Sequence, residues 1–170
     1  MAIRALATTS TGSLFAVNDG GLSANDRLWR IDPVTGAGTL MGDTGRTGLQ
    51  RLAADATDAL FGWDVNSGLQ QLSAASGVAS QVGAATVPSA SIQTLAFAAD
   101  GRLYGAESAL YRIDPNSGST TFVGPTGASG NFSNVRGLEF TSARVPEPAT
   151  LGLLAAALLA SARSRRQQTG

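Results

Sequence analysis

The chain has 170 residues, which predicts a single domain, and its formal net charge is zero. It contains no Cys and no His, and all of its basic residues are Arg. These absences exclude Ser-His-Asp and Cys-His nucleophiles, zinc sites built on imidazole or thiolate, and Schiff-base chemistry on Lys. Residues 1–145 hold 9 Arg against 11 Asp plus Glu, so we expect no nucleic-acid partner.

The composition favours short strands and tight turns. Gly accounts for 21 of the 170 residues, and charged residues for only 14%, which is typical of an all-β chain with many loops rather than a helical bundle. The N-terminal segment MAIRALATTSTGSLFAV does not predict a secretory signal, because its apolar stretch is too short.

An internal repeat runs through the body. The segments LWRIDPVTGAGTLMG, LQQLSAASGVASQVG and LYRIDPNSGSTTFVG begin at Leu28, Leu69 and Leu110, successive starts being 41 residues apart, and align without gaps. Each is preceded by a second matched piece (GSLFAV, DALFGW, GRLYGA), and that piece by a Leu-Ala pair. The piece with the Leu-Ala pair, which comes first in each unit, occurs once more, alone, as RGLEF at residues 136–140.

Each unit predicts four short strands, with a well-specified turn between the third and the fourth. Asp starts the turn, Pro supplies a φ near −65°, and Gly supplies a positive φ. The middle unit departs from this motif, with Ser73-Ala74 in place of Asp-Pro. The turn residues predicted on this basis are Asp32, Pro33, Gly36, Gly77, Asp114, Pro115 and Gly118.

The fold prediction is therefore all-β, with four-stranded β-propeller-like blades in a partial ring over residues 1–143. The units are expected at about 3–45, 49–85 and 92–127, with an extra strand at 135–141. The pattern resembles the propeller repeats of exported bacterial proteins that lack the Trp-Asp signature. Three units and one strand are too few for a closed ring, so either the chain oligomerises or an N-terminal part is missing, and we favour truncation.

Candidate binding and catalytic residues are few. The turn motif IDPNSG suggests calcium at Asp32 and Asp114, but Asp is expected there to accept backbone N–H bonds. The insertion at 18–27 is either a ligand loop or, as we expect, a solvated loop. We expect no metal and no cofactor. The aromatic side chains at equivalent strand positions are expected in the core or in the packing between blades: Trp29, Phe61, Tyr104, Tyr111 and Phe122.

Carboxylate pairs are the remaining catalytic option. A glycoside hydrolase or lyase would need two of them close together, and nothing in the sequence brings a particular pair together. We therefore expect a structural role for these residues and predict no catalytic residue. The acids concerned are Asp55, Asp58, Asp64, Asp100, Glu107 and Glu139.

The C-terminal segment differs from everything before it. Residues 150–162 are uncharged and rich in Leu and Ala, which predicts a short hydrophobic helix of about 20 Å, less than a bilayer core. Pro148 suits its first turn. The Arg cluster that follows would stop transfer and stay on the cytoplasmic side. Its members are Arg163, Arg165 and Arg166.

The order of Pro146-Glu147-Pro148, an apolar run and a terminal Arg cluster resembles the PEP-CTERM sorting signal of Gram-negative bacteria. The resemblance covers residues 144–170. It implies export by the Sec machinery, transient anchoring in the inner membrane, and cleavage near the Pro-Glu-Pro triplet by an exosortase. It also implies a final place at the cell surface or outside the cell, in association with exopolysaccharide and biofilm.

We therefore expect a non-enzymatic surface or matrix protein. Two alternatives stay open: an exported hydrolase or lyase that acts on polysaccharide, and a propeller module that binds glycan or protein.

Overall fold

The computed structural model describes residues 2–21, 24–83, 92–126 and 135–140, and these form three antiparallel sheets of four strands each. The first sheet contains β1 (Ile3–Thr8), β2 (Leu14–Asn18), β3 (Arg27–Ile31) and β4 (Gly38–Asp43). The second contains β5 (Leu49–Ala54), β6 (Leu60–Asp64), β7 (Gly68–Leu72) and β8 (Ala79–Gln81). The third contains β9 (Thr94–Phe97), β10 (Leu103–Ala106), β11 (Ala109–Ile113) and β12 (Thr120–Pro125).

In every sheet the strands lie side by side in chain order, so that each sheet is one sequence unit. The described residues contain no helix, and the predicted all-β, propeller-like architecture is confirmed. The hydrophobic helix predicted after residue 149 lies outside the described residues. The first strands of the three units run next to one another, since β5 contacts both β1 and β9.

Two β-bulges lie at equivalent places in the last strands of the first and third units. Where β3 pairs with β4, the register shifts between Leu28 and Trp29, and Met41 of β4 is the extra residue. Where β11 pairs with β12, the register shifts between Leu110 and Tyr111, and Val123 of β12 is the extra residue. A bulge leaves its extra residue unpaired and interrupts the ladder there.

The core consists of two apolar layers, each between neighbouring units. In the layer between the first and second units, Phe15, Val17 and Leu28 are buried in one cluster with the second unit's side chains. In the layer between the second and third units, the Phe61 and Phe97 rings meet edge to face with centroids 5.3 Å apart. Because the second unit takes part in both layers, all five residues of its strand β6 are buried.

Successive units touch through backbone at a repeated glycine contact. The turn between β7 and β8 lies against the end of β4, and a Cβ on Gly77 would be 2.7 Å from the carbonyl oxygen of Gly42. The turn between β11 and β12 lies against the end of β8 in the same way, with a Cβ on Gly118 falling 2.6 Å from the carbonyl oxygen of Val82. A side chain on Gly42 would run into the carbonyl oxygen of Ser76, whereas one on the equivalent Gly124 would meet nothing within 4 Å.

Residues 135–140 differ from the predicted extra strand, because they form no strand ladder. Their position nevertheless follows the repeat. Phe140 contacts Tyr104 with ring centroids 5.1 Å apart, which is the equivalent of the Phe61–Phe97 pair. The Val135 amide donates to the Glu107 carbonyl at 3.2 Å. The segment thus occupies the place of a fourth unit's first strand, but the described residues supply no second strand with which it could pair.

The glycine contact gives a matched pair of variants. Replacing Gly42 with Ala should lower the free energy of unfolding by about 1–3 kcal/mol, because the backbone near Ser76 must shift to admit the methyl group. Replacing Gly124 with Ala should leave it unchanged within about 0.5 kcal/mol. Urea denaturation in dilute solution measures both values. Equal losses in the two variants would contradict the assignment of Gly42 to a close approach between units.

Candidate functional site

The first strands of the units, together with residues 136–140, surround a cavity on the axis of the arc. One part has a volume of about 390 Å³ and is bordered by Arg4, Arg51, Thr94 and Arg136. The other has about 310 Å³ and is bordered mainly by apolar side chains, with Glu139 at its edge. All four copies of the first repeat piece therefore line one space. It is the place in the described residues where side chains of every unit converge.

Arg51 holds this centre together. Its Nε donates to the Gln93 carbonyl, and its Nη1 donates to the carbonyls of Arg4 at 3.0 Å and Gln50 at 2.6 Å. Its Nη2 donates to the Gln93 Oε1 at 3.1 Å, and the Gln93 amide in turn donates to Glu107 at 3.2 Å. Burial, together with the charge of Arg136, lowers the pKa of Arg51. One guanidinium thus joins the first strands of all three units, and its donors are used for structure.

Sequence reasoning did not identify Arg51. Its hydrogen-bond partners are mostly backbone carbonyls, one of them 47 positions away along the chain. Every residue has a backbone carbonyl acceptor, so the sequence does not indicate which carbonyls a side chain binds. No signal in the sequence distinguishes Arg51 from the other arginines.

The insertion at 18–27 is anchored, which corrects the expectation of a freely solvated loop. Asn18 and Asp26 are buried, and the Asn18 Oδ1 accepts from the Trp29 indole at 2.6 Å. The Asp26 carboxylate accepts from the Leu49 amide at 2.8 Å and from the Gly20 amide at 3.3 Å. Burial raises the pKa of Asp26 in spite of these bonds. The loop therefore braces the first unit against the second, and its residues 22–23 lie outside the described residues.

The candidate turn residues lie in equivalent turns. The Asp32 Oδ1 accepts from the Val34 amide at 2.8 Å, and the Asp114 Oδ1 accepts from the Asn116 amide at 2.8 Å. These bonds lower the pKa of both carboxyls. In the middle unit the Ser73 Oγ takes the acceptor role, receiving the Ser76 amide at 3.2 Å.

The backbone completes each of these turns. The glycine at the turn end has positive φ in all three units, and its amide donates to the carbonyl of the turn's first residue. Each Asp is thus engaged with the chain's own amides. Within residues 2–21, 24–83, 92–126 and 135–140, no group of three potential metal ligands comes together. The glycines concerned are Gly36, Gly77 and Gly118, with φ of 73°, 79° and 70°; Pro33 and Pro115 lie in the first and third of these turns.

The six acids considered for catalysis are dispersed over turns and inter-unit contacts. Asp55 and Asp64 accept amides of their own turns. Asp100 pairs with Arg102 at 3.2 Å on the exposed surface. Glu107 accepts from Gln93, and among these six acids Glu139 alone borders the axial cavity.

Asp58 is conformationally distinct. It has φ of +67°, the one positive value at a residue other than glycine in the described part of the chain. The equivalent positions in the other units are Gly12 and Gly101. Its carboxylate accepts from the Ser10 amide at 2.6 Å and from the Thr11 hydroxyl at 3.3 Å, in the neighbouring unit. The bonds from Ser10 lower the pKa of Asp58. Asp58 therefore adopts an unfavourable backbone conformation at a position where its side chain bonds to the neighbouring unit.

The predicted core aromatics occupy several environments. Phe61 is buried in the second apolar layer. Tyr104 is half-buried and contacts Phe140, and the Trp29 indole donates to Asn18 of the insertion. Tyr111 meets Phe122 edge to face at 5.8 Å, and Phe122 is 61% exposed. The prediction of a core position is therefore wrong for Phe122. It lies on β12, the last strand of its sheet, which no described strand covers.

Comparison with known proteins identifies the C-terminal segment and the fold. Residues 144–166 match the PEP-CTERM protein-sorting motif. The predicted sorting residues Pro146, Glu147 and Pro148 and the Arg cluster fall in this match and lie outside the described residues. No helix among the described residues is long and apolar enough to span a membrane. No curated protein matches the chain.

Two solved structures resemble the body. Virginiamycin B lyase from Staphylococcus aureus matches with a TM-score of 0.55 and 16% identity, over 75% of this chain and 42% of the lyase. A protein provisionally assigned as a gluconolactonase matches with a TM-score of 0.53 and 18% identity, over 71% of this chain and 47% of that one. Both have propeller-like folds, and this chain spans less than half the length of either.

The role of Arg51 can be tested by removing its donors. Replacing Arg51 with Met should lower the free energy of unfolding by about 1–3 kcal/mol, because the carbonyls of three units lose their shared partner. Replacing Arg112, an exposed arginine on β11, with Met should change it by less than about 0.5 kcal/mol. Thermal or urea unfolding followed by circular dichroism provides the comparison. A similar result for both variants would contradict the structural role.

Asp58 gives a prediction about pH. Because its pKa is lower in the folded than in the unfolded protein, its ionised form stabilises the fold. This contribution is complete above the unfolded pKa of about 3.9 and is lost as the pH falls through the lower folded value. Replacing Asp58 with Asn, which tolerates positive φ, should remove this part of the acid destabilisation. Unfolding curves of both proteins between neutral and acidic pH should therefore converge as the pH falls, and a constant difference would contradict the prediction.

Proposed function

The chain carries a PEP-CTERM protein-sorting motif, and we propose that it is an exported protein of the cell surface or extracellular matrix whose propeller-like body has a structural, non-enzymatic role. The motif implies sorting by an exosortase. The observation that carries the proposal is the order of a Pro-Glu-Pro triplet, an apolar run and three arginines within one short segment.

The tail chemistry supports a transient anchor. The run at 150–162 holds no charged residue, so it can enter the apolar part of a bilayer, while Arg163 and the arginines after it resist translocation. The body then lies on the far side of the inner membrane, delivered by the Sec machinery. Cleavage near Glu147 by the exosortase frees it. Association with exopolysaccharide in a biofilm is the destination that we propose.

The body supports a non-catalytic role. Its most central charged group, Arg51, is occupied by backbone carbonyls. Five of the six candidate acids are engaged by amides, by hydroxyls or by a neighbouring arginine. A carboxylate with such partners stabilises the local backbone conformation and is not available to exchange a proton with a substrate.

A binding module for glycan or protein is the second candidate, and the axial cavity favours it. Its border includes Glu139 and Arg136, which are both exposed. A polysaccharide hydrolase or lyase would need a second acid beside Glu139. Loss of polysaccharide cleavage on replacing Glu139 with Gln would favour the enzyme, whereas loss of polysaccharide binding alone would favour the module.

The sorting proposal is tested in a bacterium that contains an exosortase. Replacing Pro146, Glu147 and Pro148 together with Ala should leave a full-length precursor in the membrane fraction, because the enzyme has lost its recognition sequence. The matched control replaces Gln167, Gln168 and Thr169 with Ala, beyond the matched residues. Immunoblots of membrane and extracellular fractions report the result. Normal processing of the triple variant at 146–148 would contradict the proposal.

A further inference from the structure

The first unit exposes positions that the other units bury. We define its entry face by Ile3, Leu6, Leu14 and Ile31, none of which belongs to the apolar cluster shared with the second unit. Ile3 is 53% exposed and Leu6 56%. The residues equivalent to Leu6 in the later units are Leu52 and Leu95, and both are buried against the preceding unit. The first unit therefore presents to solvent the same apolar pattern that forms the inter-unit layers.

Among the described residues, only the segment 135–140 lies against the complementary surface of the third unit. We define its exit face by Tyr104, Leu110, Val123 and Gly124. The equivalents of Leu110 are Leu28 and Leu69, which are buried at 0% and 1% exposure against the next unit. Val123 by contrast is 54% exposed.

The glycine contact is open at both ends of the arc. Gly124 has open space where Gly42 and Gly83 each touch a turn of the following unit. A Cβ placed on Gly36, in the first unit's own turn, would meet nothing within 4 Å. One on the equivalent Gly77 or Gly118 would meet the backbone of the preceding unit. The two ends of the arc are thus the two halves of one interface that occurs twice within the chain.

Of the two explanations that the sequence leaves open for the incomplete ring, the repeated contact supports oligomerisation. We propose that the entry face binds the exit face of a second copy of this chain, head to tail, and that two copies close a ring. Each chain then repeats between molecules the contact that it already makes between its units.

Residues 135–140 act in this scheme as a cap. Through the Tyr104–Phe140 contact they lie where β1 of the second copy would dock. They form no strand ladder, so a complete unit with its own apolar face would displace them. The capped and the paired form are therefore alternatives at the exit face.

The chain contains no Cys, so any thiol crosslink must come from the cysteines that are introduced. We replace Thr35 with Cys in one batch of full-length protein and Pro125 with Cys in another. Thr35 is equivalent to Ser76, and Pro125 follows Gly124; both are exposed. A short bis-maleimide should join the two variants when they are mixed, and each variant alone should remain uncrosslinked. A variant with Cys at Ala99, an exposed turn residue, is the control for random collision.

Three further variants sharpen the test. Adding Gly124→Ala to the Pro125→Cys protein should weaken crosslinking by roughly tenfold, through the clash that Gly42 avoids within the chain. Leu6→Arg in the Thr35→Cys protein should abolish it, and circular dichroism should show the fold intact because Leu6 is exposed. Phe140→Ala should raise the yield by weakening the cap.

The proposal is overturned by any of three results: a mixture that crosslinks no more than the Ala99 control, equal crosslinking within single variants, or a yield unaffected by Gly124→Ala and Leu6→Arg. Sedimentation of the unmodified full-length chain provides a second readout. A two-chain species in exchange with monomer is expected, whereas monomer alone or a ladder of higher species would also overturn the closed pair. If the protein is monomeric by sedimentation but is still processed near residues 146–148, the ring proposal fails and the proposed function stands.

Discussion

Contact between neighbouring units is the constraint on which the structure depends. A four-stranded sheet of this size buries little by itself, and each face gains its apolar cover from the unit beside it. The cover is close enough that backbone meets backbone at Gly42 and Gly83, where any side chain would hold the sheets apart. Every unit must therefore present a turn that fits against the preceding unit, and a glycine at the end of its last strand that leaves room for the next unit's turn. This shared requirement keeps the units alike.

Polar groups secure the same contact at its inner and outer ends. At the centre Arg51 donates to carbonyls from three units. At the edge Asp58 reaches from a strained backbone position to Ser10 in the preceding unit. Between them Asp26 bonds the Leu49 amide across the first interface. Together these directional bonds fix the orientation of the units relative to one another, which apolar packing specifies less strictly.

The sequence predicted what is local. The Asp-Pro-x-x-Gly turns, the four strands of a unit and the sorting segment each depend on residues close together in the chain, so spacing reveals them. The alignment of Asp58 with Gly12 and Gly101 also held a signal of positive φ, because glycine at two of three equivalent positions marks such a backbone. The role of Arg51 and the anchoring of Asp26 could not be predicted, because the Arg4 carbonyl and the Leu49 amide that they bind across units lie more than twenty positions away. The strand predicted at 135–141 shows the same limit: its sequence fits the repeat, but a strand requires a partner.

The weakly held segment at 135–140 has a mechanical consequence. It is the last described part of the body before the sorting motif, so tension on the proposed membrane anchor would reach the body through it. Its described contacts include the Tyr104–Phe140 ring pair and the Val135 amide bond, and none of them is a strand ladder. Such contacts yield under a smaller load than the paired strands of β9 to β12. We therefore expect this segment to detach under pull before the three sheets unfold, which would lengthen the connection between the body and its proposed anchor.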